Sequence, residues 1–126
     1  MIVLTLEQTL QLHALVIEST DGSAGLRDLG RLEAALATQT QNVFGEELYP
    51  SLINKAAALI RGIIADHALV DGNKRTAMLA GITLLSINGQ QFQADPGEVE
   101  NFAVEVATTH TDVPEISAWL QRHLRN

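Results

Sequence analysis

The amino-acid sequence predicts an all-α fold, a compact helical bundle around one buried central helix, and three observations carry that expectation. Apolar residues recur at three- and four-residue spacing in successive stretches of the chain. Most of those stretches open on a residue suited to capping a helix. One of them, Thr76 to Ile87, is apolar almost all round, as befits a helix enclosed by others. With 126 residues, the chain has the length of one domain with its own core, residues 1–126.

Thr5-Leu6-Glu7-Gln8 has the form of a capping box, and Leu6, Leu10, His13, Ala14 and Ile17 follow on one face. After the loop Asp21 to Gly25, Asp28 caps a second helix with the stripe Leu29, Leu32 and Leu36. Thr38 to Pro50 is polar and broken by Gly45 and Pro50, which predicts an exposed loop with room for a helical turn. Ser51 opens a longer helix with Leu52, Ala56, Leu59, Ile60, Ile63 and finally His67 on its core-facing edge. Asn88-Gly89 stops the central helix. Gln90 to Ala94 reads as a short extended piece around Phe92. Asp95-Pro96-Gly97-Glu98 is a second capping box, leading to the stripe Val99, Phe102, Ala103, Val106 and Ala107. Asp112 opens the last helix, with Ile116, Trp119, Leu120 and Leu124 inward.

Composition narrows the function classes. A charged fraction of 18% against 46% apolar excludes a disordered chain. The absence of cysteine excludes disulfides and thiolate metal sites, and fits a cytoplasmic location. No apolar run has the length of a membrane span, so no membrane role is expected. A net charge of −7 argues against direct nucleic-acid binding, which needs clustered Lys and Arg. There is no P-loop, no Gly-x-Ser-x-Gly and no His-x-x-x-His zinc pair.

The chemistry concentrates in His67-Ala-Leu-Val-Asp-Gly-Asn-Lys-Arg75. A helix start offers unpaired N–H groups and the positive end of a dipole to an anion. Gly72 and Asn73 form the turn into it, Asn73 also being a candidate helix cap. Lys74 and Arg75 add charge, Arg75 with a fork that matches phosphate oxygens. Cations at a helix start oppose the dipole, a conflict that a bound polyphosphate removes. Asp71 is a hard oxygen ligand suited to Mg²⁺. His67 has the ordinary pKa, about 6.5, that suits proton transfer near neutrality. The other histidines carry blander readings: His13 packed or partly exposed on the first helix, His110 a helix cap, His123 part of a solvated basic helix end with Arg122 and Arg125.

This segment resembles the signature of the Fic/Doc superfamily, and its Asn73-Lys74-Arg75 ending resembles the Doc (death-on-curing) branch. The likeness extends from Gly25-Leu26-Arg27-Asp28 through Phe44-Gly45-Glu46-Glu47-Leu48-Tyr49-Pro50 to Leu85-Ser86-Ile87-Asn88-Gly89. It implies the toxin of a type II toxin–antitoxin system. It further implies transfer of the γ-phosphate of ATP or another nucleoside triphosphate to a protein hydroxyl, a threonine of elongation factor Tu, with translation arrested. His67 is then the general base, Asp71 the Mg²⁺ ligand or the group that orients His67, Gly72 and Asn73 the phosphate-binding turn, and Lys74 and Arg75 the charge stabilisers. The loop Gln41 to Tyr49 matches the flap that aligns the target. A Phd-like antitoxin is the implied partner, its C-terminal segment docking in an apolar groove near the active site and bordered by that loop.

Two alternatives stand beside this reading: an adenylyl- or other nucleotidyltransferase, and a catalytically silent protein-binding module. Lys74 replaces the glycine of nucleotidyl-transferring relatives, which favours phosphoryl transfer. Leu69 replaces the usual phenylalanine, an apolar change that still anchors the loop. Met78 stands where the longer Fic motif has a second arginine. The self-inhibitory pattern Ser/Thr-x-x-x-Glu-Gly/Asn is absent: Glu100-Asn101 comes nearest, with Pro96 at the hydroxyl position.

Overall fold

The computed structural model describes residues 1–125. Six helices carry the fold: α1 (Leu6–Thr20), α2 (Leu29–Ala37), α3 (Leu52–Asp66), α4 (Asn73–Ile87), α5 (Pro96–Thr109) and α6 (Val113–Arg122). Four two-residue strands join them in two antiparallel pairs, β1 (Asn42–Val43) with β2 (Glu46–Glu47) and β3 (Gln91–Phe92) with β4 (Leu124–Arg125).

The helix starts follow local chemistry. Thr5 and Gln8 make the reciprocal capping box of α1. Asp28, Ser51 and Asp112 accept the third backbone N–H of α2, α3 and α6, and Asp95 and Glu98 box the start of α5. Each such cap stabilises its helix by about 0.5–2 kcal/mol. His110 ends α5 as its left-handed C-cap.

Packing redistributes the centre. α3 contacts α2, α4, α5 and α6, and Lys55 to Ile60 are buried without interruption. The predicted central helix α4 shares that position but exposes Leu79 and Ser86. At the α3–α4 crossing, a Cβ on Gly81 would lie 2.5 Å from Ile60, so the two helices touch where only glycine fits.

Several expectations need correction. The inner face of α1, which packs on α4, is centred on Thr9, His13 and Val16, and Ala14 lies outside it. Leu29 is 44% exposed, and Ala35 takes its place in the core beside Leu32 and Leu36. The stretch Thr38 to Pro50 is exposed from Gln41 to Leu48 as expected, but it folds there as a β-hairpin, turned at Phe44 and Gly45 by two positive φ angles. Leu124 is not helical: the chain leaves α6 at His123 and pairs Leu124 with Phe92. His123 is not a solvated end either. Its Nδ1 donates to Trp119 O (2.7 Å), its Nε2 meets Glu98 Oε2 (3.0 Å), and its ring lies tilted against that of Trp119 with centroids 4.2 Å apart. It thereby joins α6 to α5.

Candidate active site

The site forms where α3 gives way to α4. α3 stops at Asp66, and His67 follows with left-handed φ 47° and ψ 45°. A residue with a Cβ pays about 1–2 kcal/mol for that conformation, a cost usually tolerated where function requires it. The reversal takes His67 off the helical stripe of Ile60 and Ile63. Those two are buried, while His67 is exposed and not on the core-facing edge that helical spacing predicted.

The next residues are held from several sides. Ala68 O accepts from the N–H groups of Arg27 (2.7 Å) and Asp28 (3.0 Å), and Val70 N–H donates to Gly25 O (3.1 Å). Leu26 and Leu69 form an antiparallel bridge between them. Leu69 is fully buried in the core, so leucine at this position does anchor the loop. Asn73 was expected to cap α4, but it occupies the first helical position and its side chain reaches back. Its Oδ1 accepts from Leu69 N–H (3.1 Å) and its Nδ2 donates to Leu69 O (2.9 Å). The carboxamide closes the loop on itself and leaves the helix start uncapped.

Asp71 is gripped at both ends. Its carbonyl O lies 2.8 Å from His13 Nε2 of α1. Its carboxylate accepts from Ser23 N–H through Oδ2 (3.2 Å) and from Gly72 N–H through Oδ1 (2.8 Å). A carboxylate has about four acceptor directions, so the exposed group keeps capacity for a cation. A Cβ on Gly22 would lie 2.7 Å from Asp71 Oδ2, which makes glycine necessary for that approach. Gly72 has φ 77°, and a Cβ there would press on Val16 at 3.1 Å.

α4 begins at Asn73 with Gly72 as N-cap and no side-chain cap. Among the described residues it is the one helix start with neither a capping side chain nor a capping box. The first bond into the helix is Thr76 N–H to Gly72 O (2.9 Å), which leaves the N–H groups of Asn73, Lys74 and Arg75 to other acceptors. Lys74 is exposed beside them. Arg75 is exposed too, but where it was expected to face phosphate it forms an ion pair with Glu100 of α5. Met78 lies in the core. Among the described residues no group of three or more His, Asp or Glu side chains converges to hold a metal ion, so Asp71 would offer a metal a single carboxylate.

An open groove of about 880 Å³ runs beside Arg75, lined by Leu15, Met78, Leu79, Ile82, Phe92 and Val99 among others. The hairpin contributes nothing to its lining, so the expectation that the loop Gln41 to Tyr49 borders the groove fails. Spacing also missed His13, Ser23 and Glu100. Only His13 left a signal, a polar residue on a stripe otherwise apolar.

Residues 3–85 match the Fic/DOC family. The chain is 46% identical over 101 residues to the Toxin Doc of Mycolicibacterium smegmatis, covering 79% of this chain and 78% of that one. It is 30% identical over 116 residues to the Protein kinase doc of Escherichia phage P1, covering 92% and 90% of the two chains.

Proposed function

The chain belongs to the Fic/DOC family, in its Doc branch, and from that premise we propose that it is a toxin enzyme transferring the γ-phosphate of a nucleoside triphosphate to a protein hydroxyl. The observation that carries this reading is the uncapped start of α4, with three N–H groups outside the helix ladder and His67, Asp71 and Lys74 exposed around it. A phosphoryl-transfer catalyst needs little covalent chemistry; it positions the reactants and stabilises charge on the phosphate oxygens.

In this reading His67 takes the proton from the target hydroxyl as its oxygen bonds to the γ-phosphorus. The bond from that phosphorus to the bridging oxygen breaks, and the nucleoside diphosphate leaves with the bond's electrons. The N–H groups of Asn73 and Lys74 and the Lys74 ammonium hold the phosphate oxygens. Arg75 joins them only by exchanging Glu100 for phosphate. Asp71, a lone carboxylate, suits Mg²⁺, which takes one or two carboxylates and completes its shell with phosphate oxygens and water. Bound there, Mg²⁺ would neutralise nucleotide charge.

The target we assign by family likeness is a threonine of elongation factor Tu in the cytoplasm, with translation arrested. The partner we assign is an antitoxin, Phd-like, whose tail folds as an amphipathic helix into the groove beside Arg75. The groove is mostly apolar in its lining, as such a helix requires.

The test is to incubate the full chain with bacterial lysate and ATP labelled at the γ- or the α-phosphate. We expect γ-label on one protein band, lost with His67→Ala. Label from the α-phosphate would replace this reading with nucleotidyl transfer, and no label from either would leave a silent binding module.

A further inference from the structure

His13 is a buried polar residue, 6% exposed and on α1, 58 residues from the motif in sequence, and its one recorded polar contact is with the backbone of that motif. Its Nε2 meets the carbonyl oxygen of Asp71 at 2.8 Å. A carbonyl can only accept, so Nε2 carries the hydrogen. The peptide that owns this carbonyl also owns the N–H of Gly72. In a planar trans peptide the two point in opposite directions, and no peptide bond among the described residues is cis. Holding the carbonyl against α1 therefore aims the Gly72 N–H to the other side, where it meets Asp71 Oδ1 at the exposed face.

Within the turn itself this choice is favoured by the Gly72 N–H bond to Asp71 Oδ1 alone, and the glycine backbone is indifferent to it. Turning the peptide over would carry Gly72 from φ 77° into the negative range, which glycine accepts as readily. The flipped form would put the carbonyl of Asp71 among the N–H groups that start α4, and an oxygen there repels an anion. We infer that His13 is a positioning residue of the phosphate site: its N–H locks the Asp71–Gly72 peptide in the orientation that keeps the Asp71 carbonyl away from the N–H groups at the start of α4 and the Gly72 N–H on the Asp71 carboxylate. Val16 and Ile17, packed on the Cα of Gly72, bring the turn close to α1 but carry no donor and so do not choose the orientation. This inference rests on the phosphoryl-transfer reading for its consequence, but not for its geometry.

The geometry is tested in the free protein by NMR. The ¹⁵N shifts of His13 should show hydrogen on Nε2, and the coupling between the Gly72 amide and α-protons should report a positive φ. A His13 protonated only at Nδ1 would overturn the proposal without any variant. His13→Leu keeps the bulk but loses the donor, and the Gly72 coupling should change. His13→Gln, whose carboxamide N–H reaches about as far, should restore it. Unchanged Gly72 geometry in a folded His13→Leu protein would also overturn the proposal. ATP titrated without metal is the second readout: His13→Leu should bind at least tenfold more weakly, with His13→Gln recovering most of the loss. A parent protein that binds no ATP would sink the phosphoryl-transfer reading while the coupling still decides the role of His13.

Discussion

Two loops of this chain are built on opposite principles. The motif loop after α3 buries Ala68 and Leu69 and spends its backbone and side-chain hydrogen bonds on the α1–α2 connection, on His13 and on Asn73. The hairpin before α3 exposes every residue from Gln41 to Leu48. Outside its own turn it is held by the ion pair of Glu47 with the buried Lys55 (2.9 Å), whose Nζ also donates to Gln39 O (2.7 Å). At its tip the Phe44 side chain stands fully in solvent. Reacting atoms need placement within fractions of an ångström, and a loop clamped at many points supplies it. A surface that receives another macromolecule gains from one anchor and freedom beyond it.

The largest effect should come from the clamped loop. His67→Ala removes the proposed base and should lower transfer by about 10²–10⁴-fold, enough to abolish growth arrest on expression. His67→Gly should be as inactive yet about 1 kcal/mol more stable than His67→Ala, because glycine occupies the left-handed region without strain. Equal melting temperatures for the two variants would show that the turn stores no strain.

The anchor of the hairpin comes next. Lys55→Met deprives Gln39 O of its donor and should cost about 1–3 kcal/mol. Amide exchange at Leu48, whose N–H bonds Gln41 O (2.8 Å), should accelerate far more than exchange at Val70. Equal acceleration at both would mean the two loops are not independently held.

A smaller change separates docking from folding. Phe44→Ser should leave unfolding free energy within about 0.5 kcal/mol of the parent, as expected at an exposed position, but reduce modification of the target protein. Full transfer by this variant would remove the tip from the docking surface.

The smallest effect lies away from both loops, at the α5–α6 junction. The hydrogen bond from His123, and next that from Asp95 N–H, hold the Glu98 carboxyl below its ordinary value of 4.5. A depressed carboxylate contributes stability above its unfolded pKa and loses it as pH falls through the folded one. Melting temperature should therefore decline more steeply below about pH 4.5 in the parent than in Glu98→Gln, with loop amide exchange unaffected. Identical acid limbs would show that the junction adds nothing.

The caps were legible because their chemistry is local: Thr5 with Gln8, and Asp95 with Glu98, are three residues apart. The motif was legible for the same reason, and so was the buried anchoring of Leu69. What escaped reading depends on partners far along the chain. His13 meets Asp71 across 58 residues, Arg75 meets Glu100 across 25, and the strand at Leu124 exists only because Phe92 lies beside it. The left-handed turn at His67 escaped for another reason. Helical spacing assumes that the helix continues, and no capping residue announces that this one stops at Asp66.

The contact of Gly81 with Ile60 gives α3 and α4 the mechanics of scissors. The pivot lies about 10 Å from the His67 end of one blade and about 12 Å from the Asn73 end of the other, at 1.5 Å rise per residue. A wedge at that crossing displaces both helices and their ends with them. A methyl group at position 81 would press on Ile60 and push the two helices apart at their crossing, a shift expected to reach the proposed base His67 and the proposed anion site at Asn73. The glycine at that crossing thus sets the helix spacing, and a mutation that thickens it is expected to lower the proposed transfer activity without touching the motif.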